Sequence, residues 1–102
     1  MRLEYYPQDK LKKEISVIFG KYLDLKKYKI FFFGSRVSGK GNKRSDIDVG
    51  IQSSTPVPAA ALSYIEEDLD KLPILYKIEV VDFSQVDTKF KQVALQKIEP
   101  IN

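Results

Sequence analysis

The sequence predicts an α/β or α+β fold in which helices cover a small mixed β-sheet. Segments with apolar residues at helical spacing alternate along the chain with short segments rich in β-branched and aromatic residues. The length of 102 residues, with 43% hydrophobic residues, is enough for one core and too short for two. We therefore expect a single domain over residues 1–102.

The first half of the chain predicts one helix and two strands. Residues 7–24 carry apolar side chains at helical spacing, which indicates an amphipathic helix. Residues 28–33 are mostly aromatic and predict a buried strand. Residues 34–44 are rich in Gly, Ser and Lys, which favours a loop or a loop that opens a short helical turn. Residues 45–51 alternate polar and apolar positions, which predicts a strand with one polar face.

The second half predicts a helix, a strand and a last helix. A Ser/Thr/Pro loop at 52–58 precedes a helix at 59–71 and a strand at 74–81. Ser84 with Asp87 forms a plausible capping box for the last helix. The apolar residues of that helix are Phe90, Val93, Ala94 and Ile98.

The composition excludes several classes of chemistry. The chain has no cysteine and no histidine, so disulfides, thiolate or histidine zinc sites and Ser-His-Asp triads are ruled out. Catalysis would need carboxylates, hydroxyls, lysine or arginine, with a hard metal that prefers oxygen ligands. The net charge of +3 is mild and suits an anionic ligand, but it does not by itself argue for binding to DNA or RNA, and we do not expect a nucleic-acid partner. No membrane span or signal-peptide core is evident, so we expect a cytoplasmic protein.

Residues 31–48 carry the candidate chemistry. A strand runs into Gly34-Ser35, where glycine lets a phosphate approach the backbone and serine adds a hydroxyl donor. Asp46 and Asp48 follow, and residues two apart on a strand point to the same face. Their carboxylates can converge on one or two divalent cations, as in sites for phosphoryl substitution. An acidic pair alone is commonly a solvated strand face, but the preceding Gly-Ser turn favours a metal and nucleotide site.

A P-loop is the rival interpretation of the same segment. Residues 34–41 match G-x4-G-K, but Gly41 stands where Ser or Thr should bind Mg²⁺. A P-loop must also open a helix, and only three residues separate Gly41 from the acidic strand. The sequence therefore favours the Gly-Ser turn over the P-loop.

Other side chains have both functional and structural interpretations. Arg36 directly follows Ser35 and is a candidate phosphate ligand. The basic residues of the following loop either attract a triphosphate or form a solvated loop tip, and both possibilities stay open; they are Lys40, Lys43 and Arg44. The tyrosines are expected in the core or at an interface rather than stacked on a base; they are Tyr5, Tyr6, Tyr22 and Tyr28.

These motifs resemble the G-S-x10-D-x-D signature of the DNA polymerase beta-like nucleotidyltransferase superfamily, and the chain is similar in length to its minimal nucleotidyltransferases. The order helix, strand, Gly-Ser, D-x-D strand, helix and strand extends the resemblance over essentially the whole chain. The resemblance implies a nucleotidyltransferase fold in which Gly34 and Ser35 hold the triphosphate. It also implies that Asp46 and Asp48 bind Mg²⁺, together with a third carboxylate from the strand at 78–82.

The third carboxylate is predicted to be Glu79 rather than Asp82. Alternation places Lys77, Glu79 and Val81 on one face of the strand and Asp82 on the other. Asp82 precedes a turn, where it has a structural role available, whereas Glu79 is expected mid-strand among core residues, where an acid needs a partner such as Mg²⁺ or Lys77. The family usually has aspartate here. The longer side chain of glutamate puts turnover in doubt more than nucleotide binding.

The resemblance implies transfer of a nucleoside monophosphate from an NTP, with ATP expected, to a hydroxyl. It further implies an antitoxin that adds AMP to a tyrosine of a HEPN-type helical partner. A homodimer is the other assembly considered, because one small domain offers only one wall of a cleft. A non-catalytic nucleotide- or partner-binding module and a small-molecule nucleotidyltransferase stay open as alternatives.

Overall fold

The computed structural model describes residues 3, 6–39 and 46–102, which form four helices and four strands. In chain order they are α1 (Gln8–Gly20), β1 (Lys29–Phe33), α2 (Ser35–Ser38), β2 (Ile47–Gln52), α3 (Ala59–Asp70), β3 (Ile78–Asp82), α4 (Thr88–Ala94) and β4 (Glu99–Pro100). The predicted mixed sheet flanked by helices is confirmed. None of the helices in these ranges is long and apolar enough to span a membrane.

The four strands form one sheet in the order β3-β2-β1-β4. Strand β1 is antiparallel to β2 and β4, whereas β2 and β3 are parallel and are joined through α3, as a parallel pair requires a crossover. The end of β1 and the starts of β2 and β3 therefore lie at one end of the sheet, which we call the acidic end. Phe33, Asp48 and Glu79 are paired across the three strands there.

One face of the sheet, the back face, carries the main core. Helices α1 and α3 pack against it and bury their apolar stripes. Its fully buried residues from the helices and strands are Leu11, Ile15, Phe19, Ile30, Phe32, Ile47, Val49, Ile51 and Ile65. Tyr6 is buried in this cluster, and Tyr22 and Tyr28 pack against it, so these tyrosines are structural as expected, whereas Tyr5 lies outside the described residues.

The opposite face, the front face, carries a smaller aromatic cluster. Phe31, Phe33 and Phe83 are buried there with their rings edge to face at 5.0–6.2 Å. Helix α4 covers the cluster with Phe90, which stays 44% exposed. None of the residues of α4 is fully buried, so this face is only partly covered.

Two strand expectations need correction. Strand β3 begins at Ile78 and not at residue 74, because its ladder with β2 starts where Ile47 faces Ile78. The preceding residues form a turn in which the Ile74 N–H bonds to Leu72 O at 2.8 Å. The short strand β4, paired with β1, was not predicted, because two residues carry no alternation to detect.

The predicted capping box of the last helix is wrong. Asp87 is itself the N-cap of α4, and its Oδ1 accepts the Phe90 N–H at 2.7 Å. The Ser84 hydroxyl instead donates to Asp82 at 2.8 Å. The helix ends at Ala94, so Ile98 lies beyond it and packs on the aromatic cluster from the following segment.

Candidate functional site

The Gly-Ser turn joins β1 to the short helix α2. Gly34 is the N-cap, with φ 85°, and its carbonyl accepts the N–H groups of Val37 and Ser38 at 3.2 and 3.0 Å. The helix ends at Ser38, and its C-cap residue, Gly39, also has a positive φ of 81°. Both conformations favour glycine. The turn therefore places Ser35 and Arg36 in the first helical turn at the acidic end of the sheet.

Asp48 lies directly against this turn. It pairs with Phe33 across β1 and β2, and a methyl group on Gly34 would overlap its Oδ2 and lie 3.0 Å from its Cγ. Glycine is thus required at position 34 for the carboxylate as well as for the backbone angle. Sequence reasoning singled out Gly34 for phosphate approach and missed this second requirement, which only the register of β1 against β2 reveals.

The three predicted carboxylates approach one another at the acidic end. Glu79 pairs with Asp48 in the parallel register of β2 and β3, so both side chains stand on the front face. Burial raises the pKa of the Asp48 carboxyl above its usual value, and the nearby charges of Glu79 and Asp46 raise it further. The site therefore concentrates negative charge that a cation would relieve.

Glu79 differs from expectation in its surroundings. Its side chain is 48% exposed, and its Oε1 lies 3.5 Å from Lys77 Nζ. The expected core setting is wrong because β3 is an edge strand of the described sheet and its front face there is uncovered. In the part of the chain that the structure describes, no group of three or more acidic, histidine or cysteine side chains could hold a metal ion. The role of Glu79 as third carboxylate stays a prediction.

Asp82 is engaged in holding the chain after β3. Its Oδ2 accepts the Val57 N–H at 2.9 Å, and its Oδ1 accepts the N–H and hydroxyl of Ser84 at 2.9 and 2.8 Å. It pairs with Ile51 of β2, so its side chain lies on the back face, opposite to that of Glu79. Its hydrogen bonds match the structural role expected from its position before a turn.

Arg36 is held by an aromatic ring. Its guanidinium carbon lies 4.5 Å from the ring centroid of Tyr76, within the range of a cation–π contact. Tyr76 stands in the turn before β3, so the contact links the Gly-Ser turn to the far side of the acidic end. The basic residues of the next loop lie outside the described residues; they are Lys40, Lys43 and Arg44. The last two residues of the P-loop match, Lys40 and Gly41, therefore also lie outside them.

A cavity of about 400 Å³ opens beside the turn. Gly34, Ser35 and Ser38 form one wall, and the other wall comes from α4 and the residues after it. This volume is within the range of small-molecule pockets. Sequence reasoning missed the cavity because it depends on how α4 packs against Phe33.

Comparisons with known proteins identify the family and the fold of the chain. Residues 13–101 match the family described as Polymerase beta, Nucleotidyltransferase. A probable protein adenylyltransferase MntA of Haemophilus influenzae is 29% identical over 66 residues, which are 65% of this chain and 58% of the length of that relative.

Two solved structures share the fold. One is a toxin–antitoxin with AMP-PNP, at 19% identity and a TM-score of 0.70 over 89% of this chain and 72% of that chain. The other is a tri-AMPylated Shewanella oneidensis HEPN toxin in complex with MNT antitoxin, at 17% identity and a TM-score of 0.63 over 93% and 72%. With the family match covering most of its length, the chain belongs to the Polymerase beta nucleotidyltransferase family.

Proposed function

We propose that this chain transfers AMP, or another nucleoside monophosphate, from ATP or a related NTP to a hydroxyl group. The observation that carries the proposal is the contact between the Gly34 turn and the Asp48 carboxylate, because it joins a phosphate-binding element to an acidic cluster. Membership of the nucleotidyltransferase family supports the same reaction class.

The proposed roles follow from position. Gly34 and Ser35 orient the β- and γ-phosphates through backbone N–H groups and the serine hydroxyl. Asp46, Asp48 and Glu79 present only oxygen donors, which fit Mg²⁺, although Glu79 would have to exchange its contact with Lys77 for the cation. Bound Mg²⁺ supplies neutralisation of the charge on the phosphates.

The bond changes are those of an in-line substitution. The acceptor hydroxyl oxygen attacks the α-phosphorus, the bond from that phosphorus to the bridging oxygen breaks, and pyrophosphate leaves. The hydroxyl proton passes to a carboxylate of the site, for which Glu79 is the proposed acceptor because its side chain is 48% exposed and therefore open to an incoming hydroxyl.

The proposed acceptor is a tyrosine of a HEPN-type helical protein, which would make this chain the antitoxin of a cytoplasmic two-gene module. The support comes from the relatives, since one is a probable protein adenylyltransferase and another was solved with an AMPylated HEPN toxin. A homodimer would be the alternative way to supply a second wall to the site.

The test is incubation of the chain with labelled ATP and Mg²⁺, with and without the product of the neighbouring gene. We expect label on a tyrosine of the partner, lost with EDTA and with the double change Asp46→Asn, Asp48→Asn. The control is Glu66→Gln with Asp70→Asn, which also removes two acidic charges but from the exposed side of α3. Loss of labelling in both double variants would mean that general charge, and not the site, matters.

A nucleotide-binding module without turnover is the second candidate. It is favoured by the exposure of Glu79 and its contact with Lys77. It is also favoured because no group of three acidic side chains among the described residues could hold a metal ion as they stand. Calorimetry separates the cases: Mg-dependent ATP binding without label on any acceptor indicates the binding module. Equal ATP affinity in Mg²⁺ and EDTA, for wild type and the double aspartate variant, would eliminate both.

A further inference from the structure

The contact between Arg36 and Tyr76 spans the acidic end of the sheet. Arg36 belongs to α2, which follows β1, whereas Tyr76 precedes β3. Strand β2 lies between these two strands, so the stacked pair reaches across the start of β2, where Asp46 stands. Both side chains are half-buried. The pair therefore connects the Gly-Ser turn with the strand that carries Glu79.

The position of Tyr76 is fixed by its packing. Its ring packs against the back-face core. The next residue, Lys77, accepts the Ile47 N–H through its carbonyl at 2.8 Å, which ties this segment to the start of β2. Val37, the neighbour of Arg36, is buried in the same core. The core thus fixes both the ring of Tyr76 and the segment of α2 that carries Arg36, and the guanidinium stacks on that ring.

Stacking and phosphate binding use different parts of a guanidinium. The face of the plane contacts an aromatic ring, whereas the N–H groups along its edge bind oxygen atoms. A long side chain that is already ordered loses less rotamer entropy when it binds a ligand. A ring beneath Arg36 therefore strengthens any contact between its edge and an anion beside the turn.

We propose that Tyr76 is a positioning residue that fixes Arg36 for contact with the phosphates of the nucleotide. The inference rests on the proposed function, since it assumes that a nucleoside triphosphate binds at the Gly-Ser turn. It adds a residue that neither the sequence motifs nor the family signature identified.

The experiment measures ATP affinity by calorimetry for the wild type, Tyr76→Phe, Tyr76→Leu, Arg36→Gln and the double variant Tyr76→Leu, Arg36→Gln. Tyr76→Phe keeps the ring and should bind ATP like the wild type. Tyr76→Leu should bind about fivefold more weakly, and Arg36→Gln roughly tenfold more weakly. The double variant should match Arg36→Gln alone. Tyr64→Leu, which removes an exposed ring on α3, is the control and should leave the affinity unchanged.

Melting temperatures of the same proteins establish that each is folded. The inference is wrong if folded Tyr76→Leu binds ATP like the wild type, or if Tyr76→Leu weakens binding equally in the presence and absence of Arg36. Unchanged affinity in Arg36→Gln also overturns it, whether or not the leucine variant folds. A wild type that binds no ATP overturns the proposed function and this inference together, a pattern distinct from the others.

Discussion

The two faces of the sheet use the same strands for different purposes. On the back face, α1 and α3, of 13 and 12 residues, cover the apolar side chains of the main core. On the front face, the seven-residue α4 buries none of its side chains fully, and the strands present Asp48 and Glu79 beside the aromatic cluster. Because side chains alternate along a strand, stability and the candidate chemistry reside on opposite sides of one backbone.

The two faces differ in stability because the front face contains a partly buried carboxylate close to two others. The raised pKa of Asp48 means that its charged form is disfavoured by burial and by Glu79 and Asp46. The back-face core has no comparable conflict, since its buried side chains are those of apolar residues and Tyr6, with no carboxylate among them. Substitutions on the back face should therefore reduce folding stability, and substitutions on the front face should reduce function.

The largest expected effect is on the back face. Ile15→Ala removes a side chain that is fully buried between α1 and the sheet, and should lower the free energy of unfolding by about 3–4 kcal/mol. Val93→Ala on α4, where the side chain is 68% exposed, should change it by less than about 0.5 kcal/mol. Urea denaturation of both variants measures the contrast, and equal losses would contradict the division between the faces.

Gly34→Ala should damage the front face by moving a carboxylate of the candidate site. The added methyl group would displace the Asp48 carboxylate, and a shift of about 1 Å at a reacting centre can reduce the rate roughly 100-fold. Gly39→Ala is the matched control, because Gly39 has a similar positive φ but none of the described residues has an atom within 4 Å of the added methyl group. It should destabilise the fold by about 1 kcal/mol and retain ATP affinity and transfer. Similar activity in the two variants would remove Gly34 from the site.

Substitutions of Glu79 and Asp82, both in β3, should have different effects, one on transfer activity and the other on folding stability. Glu79→Gln should remove nucleotidyl transfer with little change in melting temperature, since the side chain is half-exposed. Asp82→Asn should lower stability by about 1–2 kcal/mol, because an amide nitrogen would face one of the donors now bound by Asp82. Transfer assays and thermal denaturation of both variants decide the matter, and the reverse pattern would assign the third carboxylate to Asp82.

The smallest expected effect concerns pH. The folded-state pKa of Asp48 lies above its ordinary value of 3.8. The native state therefore binds the proton of the Asp48 carboxyl more tightly than the unfolded state does. This contribution to the free energy of unfolding is complete below pH 3.8 and is lost as the pH rises through the folded-state pKa. Asp48→Asn should therefore be more stable than the wild type at pH 7, by about 0.5 kcal/mol for a solvent-screened charge, or roughly 2–4 °C. Melting curves should show no advantage below pH 3.8; a pH-independent difference would point to another cause.

The local elements and motif positions could be predicted from the sequence. Helical spacing identified α1 and α3, and alternation placed Asp48 and Glu79 on the polar faces of their strands. These are local properties, set by the periods of helix and strand. The Gly-Ser turn was likewise identified by its residue types, because a short helix after a glycine N-cap is specified by neighbouring residues.

Non-local pairing could not be predicted. The exposure of Glu79 depends on β3 being an edge strand, and the overlap that a side chain at position 34 would have with Asp48 depends on the register of β1 against β2. The contact between Arg36 and Tyr76 joins residues 40 positions apart. No periodicity in the sequence encodes such contacts, since they follow from the assembled sheet.

The pairing of β1 with β4 has a consequence for the order of folding. Strand β1 pairs on one edge with β2, which follows it within about 20 residues. Its other edge pairs with β4, near residue 102. There the Asn102 side chain accepts the Ile30 N–H at 2.7 Å and donates to the carbonyls of Leu25 and Tyr28 at 3.0 Å. Contacts between such distant residues close large loops and form late. While the ribosome is still making the second half, the apolar strand β1 therefore has an open edge, and unpaired strand edges of this kind promote aggregation.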